Sequence, residues 1–431
     1  MLKKALMILL VLVLVAPTAM AAEKIVLKVV VPPWWMTTQA GQPGVFQTEI
    51  LPKFKETHPN VDVKLDLITG DTEGRSKYLL QCRQGTQPDV ITLDGFWIAE
   101  FAANGYTQPL DDLIPKDLKE DYYAPFFATY NGKIHGIVPE TAFNSMLWYR
   151  KDLFREAGLD RPPQTWDELK LYARKLTKAG PGGKAERYGL VLPLGKSEHT
   201  TVVLLGFYWA GEKSFVDDNN MPVYNNQTSR DLFNLLASMY RHDKSIPSEA
   251  INMIYDDAEK FFDMGKAAMM FHGSWLTASI EAHAPDLKGK IGLAPNPIYP
   301  RTGKRAVNAG GWGIAITGKD PRKYQAAWDL INMVAGKGEF HVRRMLEMGY
   351  FPVQKSLAAD SRFAKTEWDK IILSQLPYAN TRPTVAIYPE ASLEWVQALQ
   401  EVLMGRKDAE KALEDAVARV VKFGKDAGYI K

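Results

Sequence analysis

NAGGWGIAITGKDP, residues 308–321, decides between a nucleotide enzyme and a different kind of protein. From Gly313 to Lys319 it matches the G-x-x-x-x-G-K spacing of a phosphate-binding loop, but Asp320 stands where that loop needs a hydroxyl for magnesium. The residues between Gly313 and Gly318 are strand-like, whereas a phosphate loop curls so that its N–H groups face the ligand. An anionic Asp320 at a helix start would also repel phosphate. The stretch therefore predicts a strand, a turn and a helix capped by Asp320 with Pro321 in its first turn. Tyr324, Ala327, Trp328, Ile331 and Val334 keep helical spacing up to Gly336, so these aromatics are expected in the core. Gly310 and Gly311 suit close approach of the backbone to a ligand, or unusual dihedrals, with Trp312 offering a flat surface beside them. Whether Trp312 faces a cleft or the core stays open at this point.

The same grammar runs upstream. Ile25–Val31 reads as a buried strand ended by Pro32-Pro33, a helical stretch follows near Phe46–Lys55, and Val61–Ile68 alternates as a second strand. RSKYLLQCRQG reads as a helix closed by Gly85, and PDVITLD as a third strand ending at Asp94. Strands alternating with helices imply an α/β fold with a parallel sheet. Thr165 and Glu168 predict a capping box behind Pro162-Pro163, and Asn219-Asn220 a hairpin turn. No internal repeat is present.

A chain of 431 residues, 46% hydrophobic and 24% charged, suggests two domains or lobes. A net charge of +3 without long like-charge runs argues against a nucleic-acid partner. Lys3 and Lys4, the apolar Ala5–Ala16, Pro17 and Ala19-Met20-Ala21 read as an export signal cleaved after about Ala21. The apolar run falls short of the roughly 18 residues of a membrane span. Cys82, the single cysteine, cannot form an internal disulfide, and no cysteine ends the signal to carry a lipid, so a free periplasmic protein is expected. H-E-x-x-H, G-x-S-x-G and C-x-x-C are all missing, so neither catalysis nor a cofactor or metal is expected.

Several tryptophans lie beside glycine or proline or just past strands. Trp34 and Trp35 follow the first strand, Trp97 the third, Trp275 lies in FHGSW and Trp312 in GGW. Open α/β sheets bind ligands beyond the carboxyl ends of their strands. Indoles there suit a pyranose, whose C–H faces stack and whose hydroxyls seek carboxylate, amide or guanidinium partners. Each fits a core or lobe-interface position equally well, as Asp94 fits a helix cap.

Five segments in order, QGTQPDVITLDGFWIAEFAANGYTQPLDDLI (84–114), LWYRKDLFREAGLDRPPQTWDEL (147–169), GKAAMMFHGSW (265–275), NAGGWGIAIT (308–317) and NTRPTVAIYPEASLEWVQALQEVLMG (380–405), resemble extracellular solute-binding proteins of family 1, the carbohydrate receptors of ABC importers. The resemblance implies a type II-like fold of two discontinuous α/β lobes with a central ligand cleft and a hinge. The first lobe would hold 22–139 plus 308–357, the second 140–307 plus 358–431, and the chain would cross at least three times. It implies a cleft formed by Asp94, Trp97, Trp275, Gly310, Gly311, Trp312 and Arg382, the last reaching hydroxyls with its fork of donors. Where relatives that bind glucosides carry an acid before LWYR, this chain has Phe143 and Asn144, so either the Asn144 amide takes that place or the sugar differs, with Glu140 further upstream. The expected function is capture of a neutral di- or oligosaccharide by lobe closure and delivery to ABC permease subunits in the inner membrane, as a monomer. The alternatives are a glycerol-3-phosphate or charged-sugar receptor using Arg382, Arg301 and Lys304, and, more distantly, a secreted carbohydrate-active enzyme.

Overall fold

The computed structural model describes residues 23–68, 71–183 and 185–431. The export signal expected over 1–21 lies outside the described residues. In chain order the strands are β1 (Ile25–Val31), β2 (Val61–Leu67), β3 (Val90–Asp94), β4 (Phe127–Tyr130), β5 (Lys133–Ile137), β6 (Glu140–Phe143), β7 (Met146–Arg150) and β8 (Lys178–Ala179). They continue as β9 (Ala185–Val191), β10 (Ala267–His272), β11 (Ile291–Ala294), β12 (Val307–Gly310), β13 (Trp312–Ile316), β14 (Phe351–Pro352) and β15 (Ala379–Asn380).

The first sheet has the order β2-β1-β3-β13-β5-β4. Apolar runs drive it: Leu27, Val29 and Val31 face one core, and Val30 on the alternate side faces the other. Burial on both faces is what a parallel sheet clad in helices requires, and β1 pairs in parallel with β2 and β3. The strand read in 308–321 runs antiparallel to β3, with Trp312 opposite Asp94 and Ile316 opposite Val90. Asp320 accepts the Arg322 N–H at 3.1 Å, and a short turn leads into the helix Tyr324–Ala335, whose Trp328 is buried.

A second sheet, β11-β7-β10-β9-β8, draws only on residues 146–294. The helix Trp166–Leu176 packs on it, its N–H at Glu168 donating to Thr165 Oγ1 at 3.2 Å. The expected box forms only by half. Glu168 reaches past Thr165 to the Gln164 N–H at 2.8 Å, because Arg161 draws its carboxylate upstream.

The third sheet, β14-β6-β12-β15, is made of short strands joined by registers of two residues each. β6 follows β5 of the first sheet and precedes β7 of the second, and β12 follows β11 of the second and precedes β13 of the first. The C-terminal helices Tyr388–Leu403 and Ala409–Asp426 pack on each other and on the helices Glu198–Tyr208 and Gln227–Ala237. Cys82 is buried, which pushes its thiol up to about 11 and leaves it unreactive.

Candidate functional site

A cavity of about 820 Å³ opens between the two large sheets, with the short-strand sheet as its floor. The register places Trp312 and Asp94 side by side at one end of the first sheet. Trp312 stands edge-on to Trp34 at 5.0 Å, and both line the cavity. Trp275, just past β10, faces in from the second sheet and meets Tyr255 edge-on at 5.1 Å. Its indole lies over Gly273, where an added Cβ would fall 1.9 Å from the ring, so FHGSW needs its glycine to seat the tryptophan.

The floor obeys the two-residue period of a strand. Glu140, Ala142 and Asn144 all line the cavity, while Thr141 and Phe143 do not. Asn144 is 7% exposed, and its carboxamide has no hydrogen-bond partner among the described residues. Glu140 is engaged from behind: Arg344 donates to it at 3.0 Å, a second bond reinforces the pair, and the Arg344 guanidinium lies 4.5 Å over Trp35.

Arg382 joins the end of β3 to the start of the helix Glu198–Tyr208. Its Nη1 donates to Asp94 Oδ2 at 2.8 Å and Glu198 Oε1 at 3.1 Å, and its Nη2 to Asp94 Oδ1 at 2.6 Å. Its guanidinium also covers Phe96 at 4.3 Å. Burial alone would favour losing the proton, but Asp94 and Glu198 outweigh it and push the Arg382 pKa up. Burial holds the Glu198 carboxyl above the usual glutamate range, against Arg382, Ser392 and Tyr388, which stabilise its charged form. Tyr388 donates to Glu198 at 2.8 Å and Ser392 bonds its other oxygen.

Of the residues expected in the cleft, Asp94, Asn144, Trp275, Gly310, Gly311, Trp312 and Arg382 come together in this wall. Two of the expected residues sit differently in this structure. Trp97 is outside the wall and 3% exposed: the single turn Gly95–Trp97 after β3 swings its ring inward, edge-on to Phe96 at 5.4 Å and behind Trp312. The Arg382 fork, expected on hydroxyls, is largely occupied by protein carboxylates.

The glycine pair divides its work, and neither residue takes a left-handed backbone. A Cβ on Gly310 would face Arg382 and Asn144, 3.3 Å from the nearest nitrogen, whereas one on Gly311 would lie 2.3 Å from the Glu140 carbonyl. Gly311 thus lets β13 start against β6, and Gly310 keeps the wall open. Gly311→Ala is expected to cost about 1–3 kcal/mol, the usual range for overpacking, with Gly310→Ala milder; equal urea midpoints for the two variants would refute this division.

Other cavity residues escaped notice in the sequence. Trp34 had been indistinguishable from Trp35, which is buried beneath Arg344. Glu198 left one usable signal, an acid opening a helix whose next residues are almost all apolar or threonine. Tyr255, whose hydroxyl donates to the Asn144 carbonyl at 2.7 Å, left none.

Residues 39–339 match the family model of the bacterial extracellular solute-binding protein. The chain belongs to this family. This solute-binding protein superposes on the maltose-bound MalE3 of T. maritima with a TM-score of 0.77 and 24% identity, covering 93% of this chain and 100% of that one. It matches an ABC transporter solute-binding protein from Thermotoga lettingae, bound with alpha-D-tagatose, with a TM-score of 0.78 and 25% identity over 92% and 99% of the two chains. The arabinooligosaccharide-binding protein of Bacillus subtilis is 23% identical over 319 residues, 72% of this chain and 70% of that relative. The two-lobed α/β binding-protein fold implied by the sequence is therefore present, in a family of extracellular binding proteins that serve ABC transport. Among the described residues no helix is long and apolar enough to cross a membrane.

Proposed function

We propose that this solute-binding protein is exported to the periplasm, captures a di- or oligosaccharide between its lobes, and delivers it as a monomer to an ABC permease in the inner membrane. The observation that carries the reading is the pairing of Trp312 from one sheet with Trp275 from the other across a single cavity. Its 820 Å³ lies within the usual span of ligand sites. Between the indoles, the Asn144 carboxamide and the Tyr255 phenol offer polar edges to hydroxyls. The sugars in the names of its relatives are in keeping with such a wall.

The reading takes 22–139 plus 308–357 as one lobe and 140–307 plus 358–431 as the other; the positions of β6 and β12, each between a strand of one large sheet and a strand of the other, support the first two boundaries. A ligand touching both walls binds the closed arrangement better and so shifts the open–closed balance towards it. A receptor for glycerol-3-phosphate has less support. Arg301 pairs with Asp231 on the surface, neither it nor Lys304 lines the cavity, and Arg382 already carries two carboxylates.

A thermal-shift screen against neutral and phosphorylated sugars tests the assignment, because a ligand that binds only the folded state raises its stability. A neutral di- or oligosaccharide is expected to raise the melting temperature and to shrink the radius of gyration in X-ray scattering. Unchanged scattering with a tightly bound sugar would rule out closure.

A further inference from the structure

We propose that the cleft prefers an amine-bearing glycan to its neutral counterpart and excludes the corresponding uronic acid. The inference rests on the sugar reading above and extends it to charge. Five carboxylates line the cavity, those of Glu73, Asp94, Glu140, Glu198 and Asp256. Two guanidiniums answer them: Arg344 holds Glu140 from behind, and Arg382 is shared between Asp94 and Glu198. Neither guanidinium reaches Glu73 or Asp256. Both are exposed and make no ion pair among the described residues.

These two acids sit on opposite sides. Glu73 belongs to the helix Asp71–Gln84 beside the first sheet, and Asp256 to the first turn of Tyr255–Asp263 beside the second. Closing the lobes around a neutral ligand brings like charges nearer, and an anionic ligand adds a third. An ammonium between them removes that repulsion and also finds indole and phenol faces, which attract cations. The buried Asn144 carboxamide, aimed into the same cavity without a protein partner, shows independently that this wall is built to hydrogen-bond a ligand. Asn144 can donate and accept, so it serves ring hydroxyls while the rim acids set the charge.

The test is calorimetric titration of the whole protein with matched disaccharides built on glucosamine, glucose and glucuronate, in α- and β-linked forms, at low and high salt. We expect the amine member to bind at least about tenfold tighter than the neutral one and the acid at least about tenfold weaker, with both gaps shrinking as salt screens them. Glu73→Gln with Asp256→Asn, both exposed and away from the core, should shrink the ratio of amine to neutral affinity towards one, and that ratio is what the titration reads. Equal affinity for amine and neutral members, tight binding of the acid, or a preference untouched in the double variant would each overturn the proposal while leaving the sugar reading intact. Failure of every member to bind would overturn both.

Discussion

Arg382→Ala is expected to lose about 3–5 kcal/mol of folding stability, the range found when one partner of a buried ion pair is removed. Its side chain is the shared cation of Asp94 and Glu198, so truncation leaves two carboxylates facing each other in the cavity wall, Glu198 buried and Asp94 half-buried. Urea unfolding at neutral pH reads the loss. Acidification should restore part of it in the variant: carboxyls left without their cation have raised folded pKa values, and such groups add stability as pH falls and they take up protons. Glu198→Gln in the same chain should also recover part of the loss, since an amide needs no counter-charge. Lysine should not substitute, because one ammonium cannot reproduce the two parallel bonds to Asp94. An unchanged unfolding midpoint in Arg382→Ala would show that the bridge from β3 to the helix Glu198–Tyr208 contributes little.

Trp275→Ala and Trp312→Ala are each expected to weaken sugar binding by roughly 1–3 kcal/mol, about 5- to 150-fold, by analogy with stacking on other ring-shaped ligands. The two should differ in a second respect. Trp312 supports Trp34 and Trp97, so its loss also loosens the first lobe. Trp275 touches Tyr255 and His272 from the rim of its cavity and should leave stability closer to the parent. Calorimetry with the sugar found by screening measures the first effect and urea titration the second. Parental affinity in both folded variants would return these indoles to a packing role.

The readable parts of the fold were those coded by neighbours in sequence. β1, β3 and β13 announce themselves as apolar runs ended by proline, glycine or aspartate, and Asp320 and Thr165 mark helix starts through bonds that span three residues or fewer. The site was legible where a motif carried it and obscure where long-range partners decide. Arg382 meets Asp94 and Glu198 across 288 and 184 residues, a distance at which no local pattern reveals that its donors are taken. Trp97 and Trp34 both follow strands, yet Trp97 is buried behind Trp312 and Trp34 is half-buried in the cavity wall. Glu140 was recoverable in principle: counting back in twos from Asn144 along a strand reaches it.

The central place of β13 also bears on how the molecule is made. It lies inside the first sheet, between β3 and β5, although it begins 175 residues after β5 ends (137 to 312) and 218 after β3 ends (94 to 312). Until residue 316 of 431 has been synthesised, that sheet keeps a gap in its middle with two unpaired backbone edges. Sheets that wait for distant strands form slowly. In a member of an extracellular binding-protein family, late closure of the first sheet prolongs the time the chain stays unfolded after synthesis.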